Sequence, residues 1–390
     1  MSGAVPSTTL SAFYLAYFAY VGAYSPYFGL YLQSIGHDAA AIGLLLSAQQ
    51  VMRIVAPNLW AAIADRTGRR AHWIRLALAG GLVCMGGLFL TSAFWPLFVF
   101  LALIGFFTNA ALPLFETLTF AHLKDDLGRY GRIRLWGSIG FVLAVMGVGA
   151  LLDLLSIEAL LWISMLPLAG ALLVSLAVPD AIVNRQAQAA LPIWPVLRQP
   201  AVMALFGACF LNCMAHGPLY NFYSIHLTDH GYGKTAVGVL WSIGVVAEIL
   251  LFLVMPRLLK RWHASQIFAA SFAFGTLRFV LIGWGADQVW LMVLAQLMHA
   301  ATFGAYHAAA LGMVNTWFPD SMRSRGQALY MSLSFGAGGM IGGIGSGFLW
   351  QSAGPGWTLT GSSLVCLLGL LLALRAGSAP VREAGPKGQS

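Results

Sequence analysis

Long apolar segments alternate with short polar ones along the whole chain. Each apolar segment holds roughly 20 residues or more, the length at which an α-helix crosses the hydrocarbon core of a bilayer. The pattern predicts twelve membrane-spanning helices, over residues 9–32, 38–62, 72–92, 95–122, 132–154, 157–178, 201–226, 233–257, 264–285, 288–316, 327–351 and 357–376. A longer polar stretch, residues 179–200, separates the first six from the last six.

A weak internal repeat supports a division into two halves. Residues 36–53 match residues 231–248 in register, at an offset of 195 that is half of the 390-residue chain. At the end of the repeat, Arg53 in the first half corresponds to Glu248 in the second. Two apolar halves that each carry a lone charge at an equivalent depth indicate a solute pathway between membrane-spanning repeats.

The expected fold class is all-α and integral to the membrane, with twelve transmembrane helices in two pseudo-symmetric six-helix bundles. We expect an N-terminal bundle over residues 1–178, a cytoplasmic linker over 179–200, a C-terminal bundle over 201–376 and a cytoplasmic tail over 377–390. The first apolar stretch is too long for a signal peptide and lacks a basic segment before it, so we expect it to be retained as the first helix.

The composition fits a membrane protein, because 59% hydrophobic and only 9% charged residues are too apolar a mixture for a soluble domain. A net charge of +8 could indicate nucleic-acid binding, but the positions of the basic residues argue against it. All Lys and Arg residues except Arg53, Lys234 and Arg278 fall in loops or ends on one side of the predicted membrane. By the positive-inside rule, both termini and the central loop are cytoplasmic.

Catalytic and metal-binding signals are missing from the sequence. The four cysteines (Cys84, Cys209, Cys213, Cys366) all lie inside predicted spans, so we expect buried packing residues rather than disulfides or a zinc site. No cytoplasmic loop contains a Ser/His/Asp arrangement, a metal-ligand cluster or a phosphate-binding loop. We therefore expect that the protein is not an enzyme and binds no metal or cofactor. We expect it to function as a monomer whose partners are a small-molecule substrate and protons.

Residues 61–70, between the second and third predicted spans, resemble the signature of the major facilitator superfamily, Gly-x-x-x-Asp-(Arg/Lys)-x-Gly-(Arg/Lys)-(Arg/Lys), with Ala61 in place of the first glycine. The matching residues are Asp65, Arg66, Gly68, Arg69 and Arg70. We expect a conformational latch, in which the Asp65 carboxylate pairs with cationic or helix-terminal groups in one conformation and releases them in the other. The alternative is a solvated basic turn. The equivalent second-half segment, residues 256–261, keeps the positive charge without the acid.

Few ionisable side chains lie inside the predicted membrane, where each must face protein or water. They are Arg53, Glu116, Glu248 and Arg278, with Arg134 near the start of the fifth span and His216, His299 and His307 in the seventh and tenth. Glu116 and Arg134 lie at similar depths on neighbouring antiparallel helices, so we expect them to pair. Arg53 is free to bind an anionic ligand or to reach Glu248. The alternative for Glu116 with Arg134, and for Glu248 with Arg278, is an ion pair that only holds helices together.

Five tyrosines form one helical stripe in the first span, at spacings of three and four residues: Tyr17, Tyr20, Tyr24, Tyr27 and Tyr31. Phenol groups that line a wet cavity offer stacking area and hydrogen bonds, which suit an aromatic or sugar-like solute. We expect Tyr20 or Tyr24 to touch the substrate, whereas Tyr31 lies near the outer end and fits an interfacial aromatic belt.

Over most of its length the chain resembles the 3-phenylpropionic acid transporter group of the major facilitator superfamily and, more distantly, lactose permease. The resemblance rests on Glu116, Arg278, Tyr-Gly-x-x-Arg-Leu-Trp-Gly-Ser at 130–138, Leu-Trp-Ser-x-Gly-Val-Val-Ala-Glu at 240–248, and Met-His-Ala-Ala-Thr-Phe at 298–303 with His307 after it. It implies a carrier with the major facilitator fold in a bacterial inner membrane.

The likeness to lactose permease implies that Glu116 and Arg134 form the charged pair that binds the ligand. It also implies that Glu248, Arg278 and His299 couple substrate binding to protonation. The chain departs from that pattern at two positions: Thr302 replaces the proton-accepting Glu, and Gln296 replaces a Lys. The proton route then falls to Glu248, Glu116 or His299.

We therefore expect proton-coupled uptake of a small organic solute by alternating access, with an aromatic carboxylate such as 3-phenylpropionate as the substrate. Arg53 or Arg134 would anchor the carboxylate, the tyrosine stripe would pack the apolar part, and Glu248 or Glu116 would hold the proton. A sugar or nucleoside proton symporter is the alternative within transport. A membrane solute sensor without transport is the alternative from another class.

Overall fold

The computed structural model describes residues 7–123, 126–181 and 192–378, and every regular element in these ranges is helical. Residues 182–191 of the predicted linker and residues 379–390 of the predicted tail lie outside the described ranges. The helices of the first half are α1 (Ser7–Tyr24), α2 (Phe28–Ser34), α3 (Ala39–Thr67), α4 (Arg70–Gly87), α5 (Phe94–Leu123), α6 (Leu127–Leu154) and α7 (Ala159–Leu176).

The second half begins with a short helix and continues through broken and kinked spans. Its helices are α8 (Trp194–Leu197), α9 (Pro200–Ala215), α10 (Gly217–Asp229), α11 (Lys234–Arg261), α12 (Ala264–Trp284), α13 (Val289–Leu297), α14 (Tyr306–Trp317), α15 (Arg323–Met331) and α16 (Gly339–Ser378). Two π-helical turns, Ala300–Ala305 and Ser332–Gly338, join α13 to α14 and α15 to α16.

Each of the twelve predicted spans falls on helical chain, but several spans are interrupted. The first divides into α1 and α2 around Pro26, because proline lacks the N–H that a continuous helix needs. Ten stretches of the described chain are long and apolar enough to cross a membrane, and the last of them has 59 residues. At 1.5 Å per residue that stretch would extend about 88 Å, far more than one bilayer. Gly354, at φ 82° and followed by Pro355, kinks it and so separates two passes.

The described chain forms two compact units. The first contains α1 to α7 together with Leu219–Ser242 and Gly343–Gln351 from the second half of the sequence. In this unit α1 packs against α6 and α7, and α5 packs against α3 and α4. The second unit contains Ile243–Gly342 with residues 192–218 and 352–378, and its core joins α9, α12 and α14 through aromatic side chains such as Phe206, Phe268 and Tyr306.

One end of the first unit is closed by contacts between the two halves of the sequence. The Asp153 carboxylate, near the end of α6, accepts hydrogen bonds from the backbone N–H groups of Lys234 and Thr235 at 2.7 and 2.8 Å. It also accepts the Thr235 hydroxyl at 2.6 Å. These donors are the free N–H groups at the start of α11, where a carboxylate is favourable.

Glycines allow close approach at the same end of the first unit. A Cβ at Gly43 of α3 would lie 2.7 Å from the Gly343 carbonyl oxygen and 2.9 Å from the Gly347 Cα of α16. Nearby, the Gln351 amide donates to the Asp38 carboxylate at 3.2 Å. The sequence analysis places the basic loops at the opposite ends of these helices, on the cytoplasmic side. This end of the first unit is therefore the predicted extracellular end.

Candidate functional site

The first unit contains a partly open charged cluster. Arg134 Nε on α6 lies 3.8 Å from Glu116 Oε1 on α5, and the two side chains are 31% and 35% exposed. Tyr130, one helical turn before Arg134, donates its hydroxyl to the same Glu116 oxygen at 3.3 Å. The pairing of Glu116 with Arg134 matches the depth argument from the sequence. Because the pair is loose and accessible, it can exchange partners at little cost.

Aromatic rings hold the Arg134 guanidinium in place. Its Cζ lies 4.0 Å from the centroid of the Phe18 ring and 5.6 Å from that of Tyr14, both on α1. Gly137 leaves room for this arrangement, since a Cβ there would come within 2.8 Å of both Arg134 Nη1 and Phe18 Cδ2. A guanidinium that stacks on a ring and keeps an accessible edge is suited to bind a carboxylate with an aromatic body.

The tyrosine stripe of the first span forms a packed aromatic column. Tyr20 stacks on Tyr24 at 5.6 Å, and Tyr24 stacks on Phe28 at 4.3 Å. Tyr20 and Tyr24 are only 4% and 5% exposed. The Tyr24 hydroxyl accepts a hydrogen bond from Gln49 of α3 at 2.6 Å, which fixes its ring. Tyr17 connects this column to Phe18, with ring centroids 6.3 Å from Tyr20 and 5.7 Å from Phe18. Direct substrate contact by Tyr20 or Tyr24 stays a prediction.

Arg53 lies on the exposed side of α3. It is within electrostatic range of Tyr17 and makes no ion pair among the described residues. An accessible cation of this kind on a membrane-spanning helix is available to an anionic ligand.

The second unit contains a buried cation with defined acceptors. Arg278 of α12 is 0% exposed. Its guanidinium donates to the Ala295 carbonyl at 2.7 Å, to the Thr302 hydroxyl at 2.9 Å and to the Gln296 amide oxygen at 3.4 Å. Thr302 and Gln296 are the two positions at which the sequence departs from the lactose permease pattern. Uncharged acceptors at both positions hold Arg278 without adding a charge of their own.

His299 and Glu248 meet beside that cation. His299 Nε2 lies 3.7 Å from Glu248 Oε2, and the side chains are 8% and 20% exposed. Glycines permit the approach of α11 to the π-helical turn: a Cβ at Gly304 would lie 2.9 Å from Glu248 Cγ, and one at Gly244 would lie 3.4 Å from His299 Cβ. His299 Nδ1 is buried and has no hydrogen-bond partner within the described part of the chain. The pair can therefore hold or pass one proton between an acid and an imidazole.

The predicted latch segment, residues 61–70, contains an ion pair and a helix that ends at a glycine. Asp65 forms an ion pair with the buried Arg70. Gly68 ends α3 at φ 68°, a left-handed conformation that favours glycine. Arg66 and Arg69 are exposed. Release of Asp65 from Arg70 in another conformation stays a prediction.

The structure adds residues that the sequence did not single out for a role. Tyr130 was visible only as part of a motif, although its position four residues before Arg134 places both on one helix face. Nothing in the sequence indicated a role for Phe18, because a phenylalanine in an apolar helix is usually a packing residue. His307 Nδ1 lies 2.9 Å from the Tyr330 hydroxyl. The two residues are 23 positions apart in the sequence, so their contact was not visible as a local pattern.

Comparisons with known proteins agree with this architecture. The sequence model of the MFS_1 like family matches residues 7–360. A probable 3-phenylpropionic acid transporter of Escherichia coli (strain K12) is 31% identical, over 92% of this chain and 95% of the relative. Maltose permease of Geobacillus stearothermophilus is 25% identical, over 95% of this chain and 94% of that protein.

Among solved structures, the crystal structure of the nucleoside transporter NupG superimposes on this chain with a TM-score of 0.84 at 20% identity. The match covers 96% of this chain and 99% of that one. At this identity the likeness establishes the fold.

Proposed function

This chain belongs to the MFS_1 like family, and we propose that it takes up a small aromatic carboxylate together with protons. It has the major facilitator fold, all-α with twelve transmembrane helices in two six-helix bundles. It is a multi-pass secondary transporter, like the relatives it matches, and not an enzyme. The substrate and the coupling ion are the proposed part.

The observation that supports an aromatic carboxylate is the arrangement of Arg134. Its guanidinium stacks on Phe18 at 4.0 Å while its nearest acid, Glu116, stays at 3.8 Å. A substrate carboxylate can replace Glu116 at the accessible edge of Arg134, and its ring can pack against the neighbouring aromatic side chains. Arg53, an exposed cation on α3 of the same unit, is the alternative anchor. A probable 3-phenylpropionic acid transporter among the relatives fits this substrate class.

Proton coupling is assigned to the Glu248 and His299 pair, next to the fixed charge of Arg278. A nearby cation favours the ionised carboxylate, and loss of water favours the neutral one, so small changes in this site alter its affinity for a proton. Glu116 can take a proton as well when a substrate occupies Arg134. Linkage between the two events lets a proton gradient drive the solute uphill.

Alternating access would come from relative motion of the bundles over residues 1–178 and 201–376, with the segment around Asp65 as the cytoplasmic latch. Both termini and the 179–200 linker would lie in the cytoplasm of a cell whose inner membrane holds the protein. The carrier would work as a monomer.

The test is uptake of labelled 3-phenylpropionate into proteoliposomes under an imposed inward proton gradient. Accumulation that an ionophore abolishes is the expected result. Glu248→Gln should lose uphill accumulation and keep exchange of substrate across the membrane. Unchanged accumulation by Glu248→Gln would remove the proton role of this acid, and no uptake by folded wild-type protein would reject the substrate.

A sugar or nucleoside is the second candidate substrate, since maltose permease is similar over nearly the whole chain. Acid and arginine pairs also bind hydroxyl groups. Competition of maltose or uridine with 3-phenylpropionate for binding would favour this alternative. Binding of any of these solutes without flux would instead indicate a membrane solute sensor.

A further inference from the structure

A stack of rings extends from His299 along the π-helical turn of the second unit. His299 stacks on Phe303 at 5.3 Å and 8°, and Phe303 stacks on His307 at 6.4 Å and 9°. In a regular α-helix, residues eight apart are rotated by about 80° around the axis. The π-helical turn, with its wider i to i+5 hydrogen bonding, rotates less per residue and so brings the two histidines onto one face.

His307 has a defined partner at the far end of the stack. Its Nδ1 lies 2.9 Å from the hydroxyl of Tyr330 on α15, and Tyr330 is 0% exposed. When Nδ1–H donates to the Tyr330 oxygen, Nε2 keeps a lone pair that can accept a proton. The Tyr330 oxygen then continues to accept from Nδ1–H, which stabilises the protonated ring. His307 and Phe303 are both partly exposed, so water can reach the edge of the stack.

We propose that His307, held by Tyr330, is a second proton-binding group on the path of the transported proton, between the Glu248 and His299 pair and the cytoplasmic end of α14. The proposal rests on the proton coupling argued above. A proton leaves the Glu248 carboxyl or the His299 imidazole, crosses by water past Phe303, and binds Nε2 of His307. His307 releases it to cytoplasmic water, and no other bond forms or breaks.

The ionisable groups around this path come from five helices. They are Glu248 of α11, Arg278 of α12, Cys209 and Cys213 of α9 with His216 at its end, Tyr306 of α14 and Tyr330 of α15. Arg278 acts electrostatically on His299 and donates to Thr302, three residues beyond it, whereas His307 lies eight residues beyond His299. The fixed cation therefore favours movement of the proton away from His299 toward His307.

The experiment compares two fluxes of labelled 3-phenylpropionate from loaded proteoliposomes. Efflux into substrate-free buffer carries protons out with the solute, whereas exchange against equal unlabelled substrate moves no net protons. Both are measured between about pH 5.5 and 8, the range in which imidazole titrates. The variants are His307→Gln and Tyr330→Phe, and His72→Gln, an exposed histidine outside the site, is the matched control.

We expect His307→Gln to slow efflux about tenfold or more and to flatten its pH profile, because proton transfer has lost a positioned base. Exchange should change less than about twofold. Tyr330→Phe should shift the pH profile of efflux in the direction of a less easily protonated His307. His72→Gln should match wild type in both fluxes.

The outcomes separate this inference from the proposed function. Wild-type efflux that does not depend on pH would overturn proton coupling and this relay with it. Wild-type efflux that depends on pH, with His307→Gln and Tyr330→Phe unchanged, would overturn the relay alone. An equal fall of efflux and exchange in both variants would also overturn it, because that result indicates a packing role.

Discussion

The two charged clusters of this transporter differ in how exposed their arginines are. In the first unit, Arg134 and Glu116 are about one-third exposed and lie 3.8 Å apart. In the second unit, Arg278 has no exposed surface and donates hydrogen bonds to uncharged oxygen atoms of Ala295, Gln296 and Thr302. An accessible, loose pair costs little to break, whereas a buried cation is costly to disturb. The first arrangement suits exchange of Glu116 for a substrate anion, and the second suits a fixed charge that acts on a neighbouring proton site.

The same difference explains the two sequence departures in the second half. A proton-accepting Glu at position 302 or a Lys at position 296 would bring another charge beside Arg278. Thr302 and Gln296 instead supply neutral acceptors, at 2.9 and 3.4 Å. The titratable acid nearest to His299 is then Glu248, at 3.7 Å. Beside His299 the described chain thus places one acid, Glu248, and the buried cation Arg278.

The largest effect should come from removal of the fixed cation. Arg278→Met leaves three buried acceptors without their donor, and each costs about 1–3 kcal/mol, so we expect a fall of about 3 kcal/mol or more in the free energy of unfolding. Thr302→Val removes one acceptor and should cost about 1–2 kcal/mol. The measurement is the melting temperature of the purified protein in detergent. Arg257→Met, at an exposed position of α11, is the matched control.

If Arg278→Met melts at the same temperature as the Arg257→Met control, Arg278 is dispensable to the fold and does not differ from an exposed cation. A large fall for Arg278→Met alone would show that the buried cation is structural.

Loss of the accessible cation should affect binding more than stability. Arg134→Gln removes a charged partner of the substrate carboxylate, worth about 1.5–3 kcal/mol, so 3-phenylpropionate should bind about 10- to 150-fold more weakly. The melting temperature should stay near that of wild type. Arg132→Gln, exposed on the same helix, is the control. The uncharged amide of the substrate tests the cause: its binding should change little in Arg134→Gln. An equal loss for acid and amide would show that Arg134 supports the shape of the site and not the carboxylate.

The sequence predicted the broad features that depend on hydropathy and charge. Glu116 and Arg134 could be paired because helix rise fixes their depth on adjacent antiparallel helices. The kink at Gly354 falls in the gap predicted between the last two spans. The breaks inside spans, at Pro26 and at the two π-helical turns, were not predicted, since a hydropathy window averages over them and cannot see a local change of backbone angle.

The site around Arg278 in the second unit shows more clearly what the sequence could not predict. From sequence alone, Arg278 could be placed beside Glu248 only as one of several arrangements. Which acceptors hold its guanidinium depends on the π-helical turn at 300–305, and that turn changes the face on which Thr302 and His299 lie. The spacing of apolar residues along a helix does not show where a π-helical turn occurs.

The smallest effect should come from crowding the accessible cation without removing it. A Cβ at Gly137 would meet Arg134 Nη1 and Phe18 Cδ2 at 2.8 Å, so Gly137→Ala must displace the guanidinium from its ring. A side chain forced off its preferred rotamer costs about 0.5–1.5 kcal/mol, and we expect substrate binding to weaken about two- to tenfold. Gly147→Ala is the control on the same helix, because no atom lies within 4 Å of its added Cβ. The measurement is the affinity of both variants for 3-phenylpropionate. If Gly137→Ala binds as tightly as Gly147→Ala, the stack of Arg134 on Phe18 does not position the carboxylate anchor, and the first cluster is less ordered than its geometry indicates.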